Sequence, residues 1–464
     1  MAPLFTVGEI LSATGGRGQG LTVEEVSSIS IDSRDIAPGA LFVAIRGDRF
    51  DGHDFVGTAL ANGAAAALVS AERADADGQG LVVVPDALDG LRALAQAARE
   101  RSAARIVAVT GSAGKTTTKE AIRTVLGAAG ETHYSIKSFN NHWGVPLMLA
   151  RMPRAAQYGV FELGMNHAGE IAPLTRLVRP HVAVVTTVAA AHLEFFDSVE
   201  GIARAKAEIF EGLQPGGVAV INADHDHAGL LIELARTAGA GRIVTYGYAE
   251  GADWRIEQVE SADGHMHAVV RHNGSTIPLS IAAQGRHMVA NAVAALVVGD
   301  AFGVNRDTAL TALAQFGAPE GRGMAVRLGP AERPLLLIDE SYNANSASMA
   351  AALDVFAGQK AADGRKVLVL GDMLELGEKG PLLHAALKDA VLATEAEAVY
   401  LVGPGMAALA DALGPEIVTG HKLTTDEIAD SVLADLAYGD AVMVKGSNGV
   451  RLSGLVKQIR ERFA

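Results

Sequence analysis

The chain has no cysteine. Disulfides and thiolate catalysis are therefore excluded, and any metal must be held through oxygen or nitrogen. Basic charge is also in deficit: 39 Lys and Arg stand against 53 Asp and Glu, a formal net charge of −14. That balance argues against a general binder of nucleic acid or of anionic membrane surfaces. Long apolar runs are missing too. None approaches the roughly 18–20 residues that span a bilayer, and the opening MAPLFTVGEI has neither a basic segment nor a long apolar stretch. The expectation is a soluble, cytoplasmic protein without membrane insertion.

What is present is core-forming material and a phosphate-binding signature. Of 464 residues, 49% are hydrophobic, and at about 150 residues per domain the length suggests about three domains. The signature is GSAGKTT, Gly111 to Thr117. Before it, Arg105 to Val109 is an apolar run that reads as a buried strand; after it, TKEAIRTVLGAAG reads as a helix. Strand, glycine turn and helix start make a cradle in which backbone N–H groups of Gly111, Ser112, Ala113 and Gly114 face a nucleotide polyphosphate. Lys115 supplies a mobile positive charge near the β/γ bridge, the Thr116 hydroxyl can hold Mg²⁺, and Thr117 opens the helix. The full pattern wants a further glycine at position 109, where this chain has Val109. The remaining G-x-x-G-K-T is shorter and less specific; the flanking strand and helix make it an ATP- or GTP-binding loop.

The organisation around the loop is alternating α/β. Residues 1–103 carry short strands and turns, then a helix with Leu91, Leu94, Ala95 and Ala98 on one face. Residues 104–319 offer strand candidates at 159–163, 182–188, 218–222 and 242–246 between helical stretches, a mostly parallel sheet. Asp263-Gly264 and Asn273-Gly274 mark two hairpins, and a helix follows from about His287 to Phe302. Residues 320–464 repeat the α/β alternation with strands at 335–338, 367–370, 399–402 and 442–444.

Polar residues gather where these strands end. Glu162 closes one strand and His192 follows another, the edge at which α/β sheets place ligands. In GIARAKAEIFEGL, residues Ile202, Lys206, Ile209 and Leu213 share one helical face. Lys206 thus lies in line with an apolar stripe. One reading is a lysine snorkelling at the core edge; the other is a desolvated amine that binds CO₂ as a carbamate and becomes an anionic metal ligand. His192 alone reads as a hydrogen-bonded structural residue. Beside a phosphate loop, His192, Glu162 and a carbamylated Lys206 would suit two Mg²⁺ ions. SFNNHWGVP, GMNHAGE, DESYNANSASM, GDMLELGEKG and KGSNGVRL add further polar loops at strand ends; Asn345 or Ser346 can equally be a helix cap.

Taken in order, GSAGKTT, SFNNHWGVP, FELGMNHAGE, AHLEFF with AKAEIF, GRHMVANAVAALVVG, GRG, DESYNANSASM and GDMLELGE resemble the Mur ligases. The likeness runs through almost the whole chain, including SIDSRDIAPGALFVAIRGDRFDGHDF near the start. It implies three α/β domains: a small UDP-sugar domain over 1–103, a central mostly parallel-sheet ATPase over 104–319 and a C-terminal Rossmann-like domain over 320–464. It implies that Lys115 and Thr116 bind phosphate and Mg²⁺, that Glu162 and His192 are metal ligands, and that Lys206 is the carbamylated lysine. Asn291 matches a residue near the adenine, while Arg322, Asp339, Tyr342 and Asn343 match residues that close over ATP. Ser33, Arg34, Asp48, Arg49, His53, Asn140 and Asn141 lie in segments associated with the UDP-peptide substrate.

The activity implied is ATP-dependent addition of D-alanyl-D-alanine to UDP-MurNAc-tripeptide by a monomer, through an acyl phosphate and with no covalent nucleophile. The family's diamino-acid-adding ligase carries D-N-P-R where this chain reads GDMLELGE. Trp143 stands in NNHWGVP where the family usually has an acidic residue or another small variation. Two rivals remain: another amide ligase of the family, such as a folyl-polyglutamate type, and a phosphate-loop switch.

Overall fold

The apolar run before the glycine loop forms the strand Arg105–Thr110, buried from Ile106 onward. A strand apolar on both faces requires cover on both faces, which fits the centre of a parallel sheet. The computed structural model of the chain describes residues 3–47, 50–75, 78–136, 138–191, 193–262 and 264–464. Arg105–Thr110 lies inside a nine-stranded sheet, between Tyr158–Glu162 and Val182–Val185, and pairs with both in parallel. Val218–Asn222 and Arg242–Gly247 extend the sheet in parallel. The hairpins then turn it antiparallel through Trp254–Ala262, His265–His272 and Ser275–Ile281.

The chain thus leaves Arg105–Thr110 toward one side of the sheet and returns to its other side. This is a switch point, and it opens a crevice at the carboxyl ends of the strands. The position where a longer phosphate loop carries glycine is inside the strand: Val109 is buried and in register with Glu162.

Two further sheets flank this one. The N-terminal sheet has five strands, four of them parallel, with Arg17–Gln19 antiparallel at one edge. The C-terminal sheet has six, in the order Met324–Leu328, Leu335–Glu340, Ala441–Lys445, Lys366–Gly371, Ala398–Val402 and Val418–Lys422. Its first strand is antiparallel, and the sequence reading missed both edge strands. They are half exposed and less apolar than the four inner strands, so they lack the continuous hydrophobic run that betrays a buried strand.

The cores divide unevenly. One apolar cluster runs without a break from Phe5, Leu41 and Leu91 of the N-terminal part to Leu147, Phe161 and Ile209 of the central part. The other face of the central sheet packs on Arg286–Ala301, a helix with twelve buried residues. The C-terminal sheet keeps two clusters of its own.

The predicted single helix over 201–213 is two elements. Val199–Ala207 is α-helical, and Glu208–Gly212 tightens to a 3₁₀ turn. At that break Glu208 turns its carboxylate to the N–H groups of Gly169, Ile171 and Ala172 at 2.6, 3.1 and 3.0 Å, capping the helix Ile171–Val178. Ile202, Lys206 and Ile209 are buried as expected, and Leu213 is half-buried.

Candidate active site

The glycine loop hangs from the neighbouring strand. Ser112 N–H donates to Thr187 O (2.8 Å) and Ser112 Oγ to Ala189 O (3.0 Å), while Thr186 Oγ1 donates to Ala113 O (2.5 Å). Gly111 must be glycine: a Cβ there would stand 1.9 Å from Thr186 Oγ1. Gly114, at φ +79°, adopts the left-handed conformation that starts the helix Lys115–Gly127. A Cβ on it would stand 3.0 Å from Asn291 Oδ1, which accepts from Thr118 Oγ1 at 3.0 Å. Asn291 thereby ties the long central helix to the loop.

Lys115 donates from Nζ to Gly111 O at 2.7 Å. Burial lowers its pKa; Glu162 opposes that shift and Arg322 adds to it. The Glu162 carboxylate is buried at the end of its strand. It accepts from Thr116 Oγ1 at 2.7 Å and from Asn140 Nδ2 at 2.8 Å. A threonine hydroxyl and a carboxylate side by side at a phosphate cradle form an oxygen donor set that fits Mg²⁺. Lys206 is 1% exposed, and desolvation first, then the charge of Lys115, lowers its amine pKa well below the ordinary lysine range. A neutral amine of this kind is chemically competent for carbamylation, so the residue fits that group as well. His192 lies outside the described residues. Among the described residues no cluster of three histidine or acidic side chains assembles a metal site.

A cleft of about 670 Å³ opens between the central and C-terminal sheets. Ser112 to Thr117, Asn140, Glu162 and Asn291 form one wall; Arg322, Tyr342 and Asn343 form the other. The predicted polar loops after the C-terminal strands all reach it, through Asn345, Leu374, Glu375, Lys445 and Ser447. Asn345 does cap a helix, Ser346–Ala357, and its Nδ2 also donates to Ser112 O at 3.1 Å. Tyr342 hydroxyl hydrogen-bonds Ser138 Oγ, and the Arg322 guanidinium sits 4.2 Å over the Tyr342 ring. Asp339 stands just behind this wall, buried, with Oδ1 accepting from Ser341 N–H and Oγ at 3.1 and 2.6 Å.

The N-terminal candidates lie elsewhere. Ser33 is buried and its carbonyl accepts from Asn62 Nδ2 at 2.9 Å; Arg34 is exposed and paired with Asp32 at 2.8 Å. The His53 ring is enclosed, with Nδ1 2.6 Å from Asp51 and Nε2 accepting from Ser70 N–H at 2.9 Å. Asn141 accepts from Gly144 N–H at 2.9 Å and so serves the start of a helix. Trp143 packs edge-on against Phe139, centroids 5.5 Å apart. Asp48 and Arg49 lie outside the described residues.

Sequence reasoning missed the far end of the cleft, where Asn222, Asp224, Tyr248 and His287 converge. Asp224 Oδ1 accepts from the N–H groups of Tyr248 and Ala249 at 2.6 and 2.9 Å, and Arg286 stacks 4.1 Å from the Tyr248 ring. Desolvation raises the Asp224 pKa. Asn222, Asp224 and Tyr248 end or follow two strands already recognised, so the strand-end rule applied to Glu162 would have found them; His287, in the first turn of the helix Arg286–Ala301, follows neither.

A parallel sheet with a phosphate loop at its switch point, facing a second α/β sheet across a polar cleft, defines a nucleotide-dependent enzyme of two or more domains. Family models agree with that class. "Mur ligase family, catalytic domain" matches residues 25–102, "Mur ligase middle domain" 109–299, and "Mur ligase, glutamate ligase domain" 321–448. The UDP-N-acetylmuramoyl-tripeptide–D-alanyl-D-alanine ligase of Escherichia coli is 35% identical over 457 residues, 98% of each chain. That of Bacillus subtilis is 32% identical and covers 94% of this chain and 93% of its own. Among solved structures, a MurF from Acinetobacter baumannii superposes with a TM-score of 0.85 at 31% identity, covering 98% of this chain and 99% of that one. A MurF ligase from Thermotoga maritima in complex with ADP gives 0.79 at 26% identity, covering 94% and 97%. The chain belongs to the Mur ligase family.

Proposed function

We propose that this chain is the ligase that joins D-alanyl-D-alanine to UDP-N-acetylmuramoyl-tripeptide with ATP, yielding the pentapeptide precursor of peptidoglycan. The observation that carries the reading is the full-length likeness to ligases of that name, which spans both walls of the cleft. The proposal extends to three domains meeting near residues 103 and 320, a cytoplasmic location and a monomer. Among the described residues no helix is long and apolar enough to cross a membrane.

The chemistry asks for positioning and charge, not for a covalent nucleophile. A carboxylate oxygen of the tripeptide attacks the γ-phosphorus of ATP, the bond to the β-bridging oxygen breaks, and ADP leaves. The amine of D-alanyl-D-alanine then attacks the acyl carbon, loses a proton, and expels inorganic phosphate as the amide forms. Backbone N–H groups of Ser112 to Lys115 cradle the phosphates. Lys115 from one wall and Arg322 from the other neutralise the charge that develops on the transferred group. Thr116, Glu162, His192 and Lys206 as a carbamate would hold two Mg²⁺ ions; bound there, the ions would supply charge neutralisation at the phosphoryl oxygens. Asn291 orients the nucleotide, and Tyr342, Asn343 and Asp339 support the closing wall. Ser33, Arg34, Asp48, Arg49, His53, Asn140 and Asn141 belong to the UDP-peptide side.

Phosphate release from ATP is expected to require both UDP-MurNAc-tripeptide and D-alanyl-D-alanine, with pentapeptide as product by mass spectrometry. Release with neither substrate would overturn the ligase reading. Lys206→Ala is expected to lose activity and regain part of it with added short carboxylates. Unchanged turnover in that variant would remove the carbamate from the scheme.

A further inference from the structure

We propose that Arg460 is a positioning residue for this reaction: from the C-terminal helix it clamps the Gly321–Gly323 junction and the buried carboxylate of Asp339, so that Arg322 and Tyr342 face the phosphate loop. The inference rests on the ligase reading and adds a residue far from the cleft in sequence.

The junction between the central and C-terminal sheets is the segment 319–323. Gly321 and Gly323 hold φ of +69° and +100°, a region that costs any side chain strain. Space is tight as well: a Cβ on Gly321 would come to 3.0 Å from Tyr342 Cβ, and one on Gly323 to 3.1 Å from Glu340 Oε1. Gly323 N–H donates to Asp339 O at 2.9 Å, and Tyr342 N–H donates to Gly321 O at 3.1 Å. The backbone of the junction is therefore stitched to the end of the strand that carries Asp339. Arg322 lies between the two glycines, so its direction is set by their conformation.

Arg460 comes to this stitch from the helix Leu452–Phe463. Its two terminal nitrogens lie 3.6 Å from Asp339 Oδ2 and 3.7 Å from Glu320 Oε1, and the first also approaches Met324 Sδ at 3.7 Å. Its Nε is buried and unpaired among the described residues. The Asp339 side chain is only 4% exposed. One of its oxygens is occupied by Ser341, and among the described residues the cation paired with the other is Arg460. A buried carboxylate stripped of its counter-charge becomes an uncompensated charge and reorganises its surroundings. Here those surroundings are the junction that sets Arg322 over Tyr342 in the cleft wall opposite Lys115.

The test is steady-state kinetics on the full chain with ATP, UDP-MurNAc-tripeptide and D-alanyl-D-alanine, with folding monitored by circular dichroism. Arg460→Met is expected to lower kcat roughly three- to thirtyfold, with KM for the tripeptide changed by less than about twofold. Arg460→Lys, which keeps the charge without the fork, should recover part of the loss. In an Asp339→Asn background the further loss from Arg460→Met should shrink to less than about twofold, because the two residues act as one unit. Arg460→Gln replaces Arg460→Met if the latter does not fold. A wild-type kcat in a folded Arg460 variant overturns the proposal. So does a loss that persists in full in the Asp339→Asn background. Absence of product from the wild-type chain would instead overturn the ligase reading itself.

Discussion

The two seams of this molecule are built from different materials. Between the N-terminal and central parts the seam is a core: Leu91, Leu94 and Ala98 on the helix Ala87–Arg101 share one apolar cluster with Leu147, Leu149 and Met152. Three arginines rivet its edge. Arg99 reaches Val178 O and Arg179 O at 2.8 Å, Arg151 reaches Ile29 O at 2.6 Å, and Arg154 pairs with Glu9 at 2.5 Å. Between the central and C-terminal parts the seam is the cleft itself, crossed by single hydrogen bonds: Asn345 to Ser112, Tyr342 to Ser138, and Glu194 N–H to Glu375 O at 3.2 Å. A shared core ties two bodies into one unit, because separating them exposes apolar surface. A seam of isolated polar contacts exchanges them for water at small net cost. On the proposed function, the C-terminal part is therefore the partner expected to move, and water exclusion from the acyl phosphate would fall to it.

The largest way to test this contrast is at the cleft. Lys115→Ala should lower kcat roughly 10²- to 10³-fold while leaving the melting temperature nearly unchanged, since Lys115 contributes nothing to the shared core; equal losses of stability and rate would contradict the assignment. Next is Arg99→Ala, which strips the carbonyls at the end of a helix of a charged donor. Arg99 is 6% exposed, so a loss of roughly 2–4 kcal/mol in unfolding free energy is expected. The N-terminal and central parts should still melt in one calorimetric transition, and a split into two would break the single-unit picture. The smallest effect belongs to Tyr342→Phe, which removes one hydrogen bond across the open seam. A rate loss worth about 0.5–1.5 kcal/mol is expected, without change in stability. A melting shift as large as that of Arg99→Ala would mean the two seams are alike.

Legibility from sequence followed the same division. Parallel strands announce themselves as apolar runs, so Arg105–Thr110, Val218–Asn222 and the inner C-terminal strands were readable to within a residue or two, as were the hairpins marked by glycine. Edge strands such as Val418–Lys422 were not, because half their side chains meet water. The phosphate loop and Glu162 were legible because chemistry and strand end coincide in one short string. The pairing of Asp339 with Arg460 spans more than a hundred residues and follows no periodicity. Asp224 and Tyr248 also follow recognised strands, but their pairing does not show in the string: they meet only where a Cβ on Gly247 would stand 2.4 Å from Asp224 Oδ1.

The suspension of the glycine loop has a thermodynamic consequence. With Ser112 bonded to Thr187 and Ala189, Ala113 held by Thr186 from the neighbouring strand end, and Asn291 braced behind Gly114, the backbone amides are already aimed before any nucleotide arrives. Binding then spends little of its free energy on ordering the receptor, and the entropic cost of complex formation shifts to the nucleotide and to the C-terminal part. The Ser112 amide hydrogen, donated to Thr187 O, should therefore exchange slowly with nucleotide or without it, while the protection that ATP adds should appear at the remaining cradle amides and around Tyr342 and Asn343.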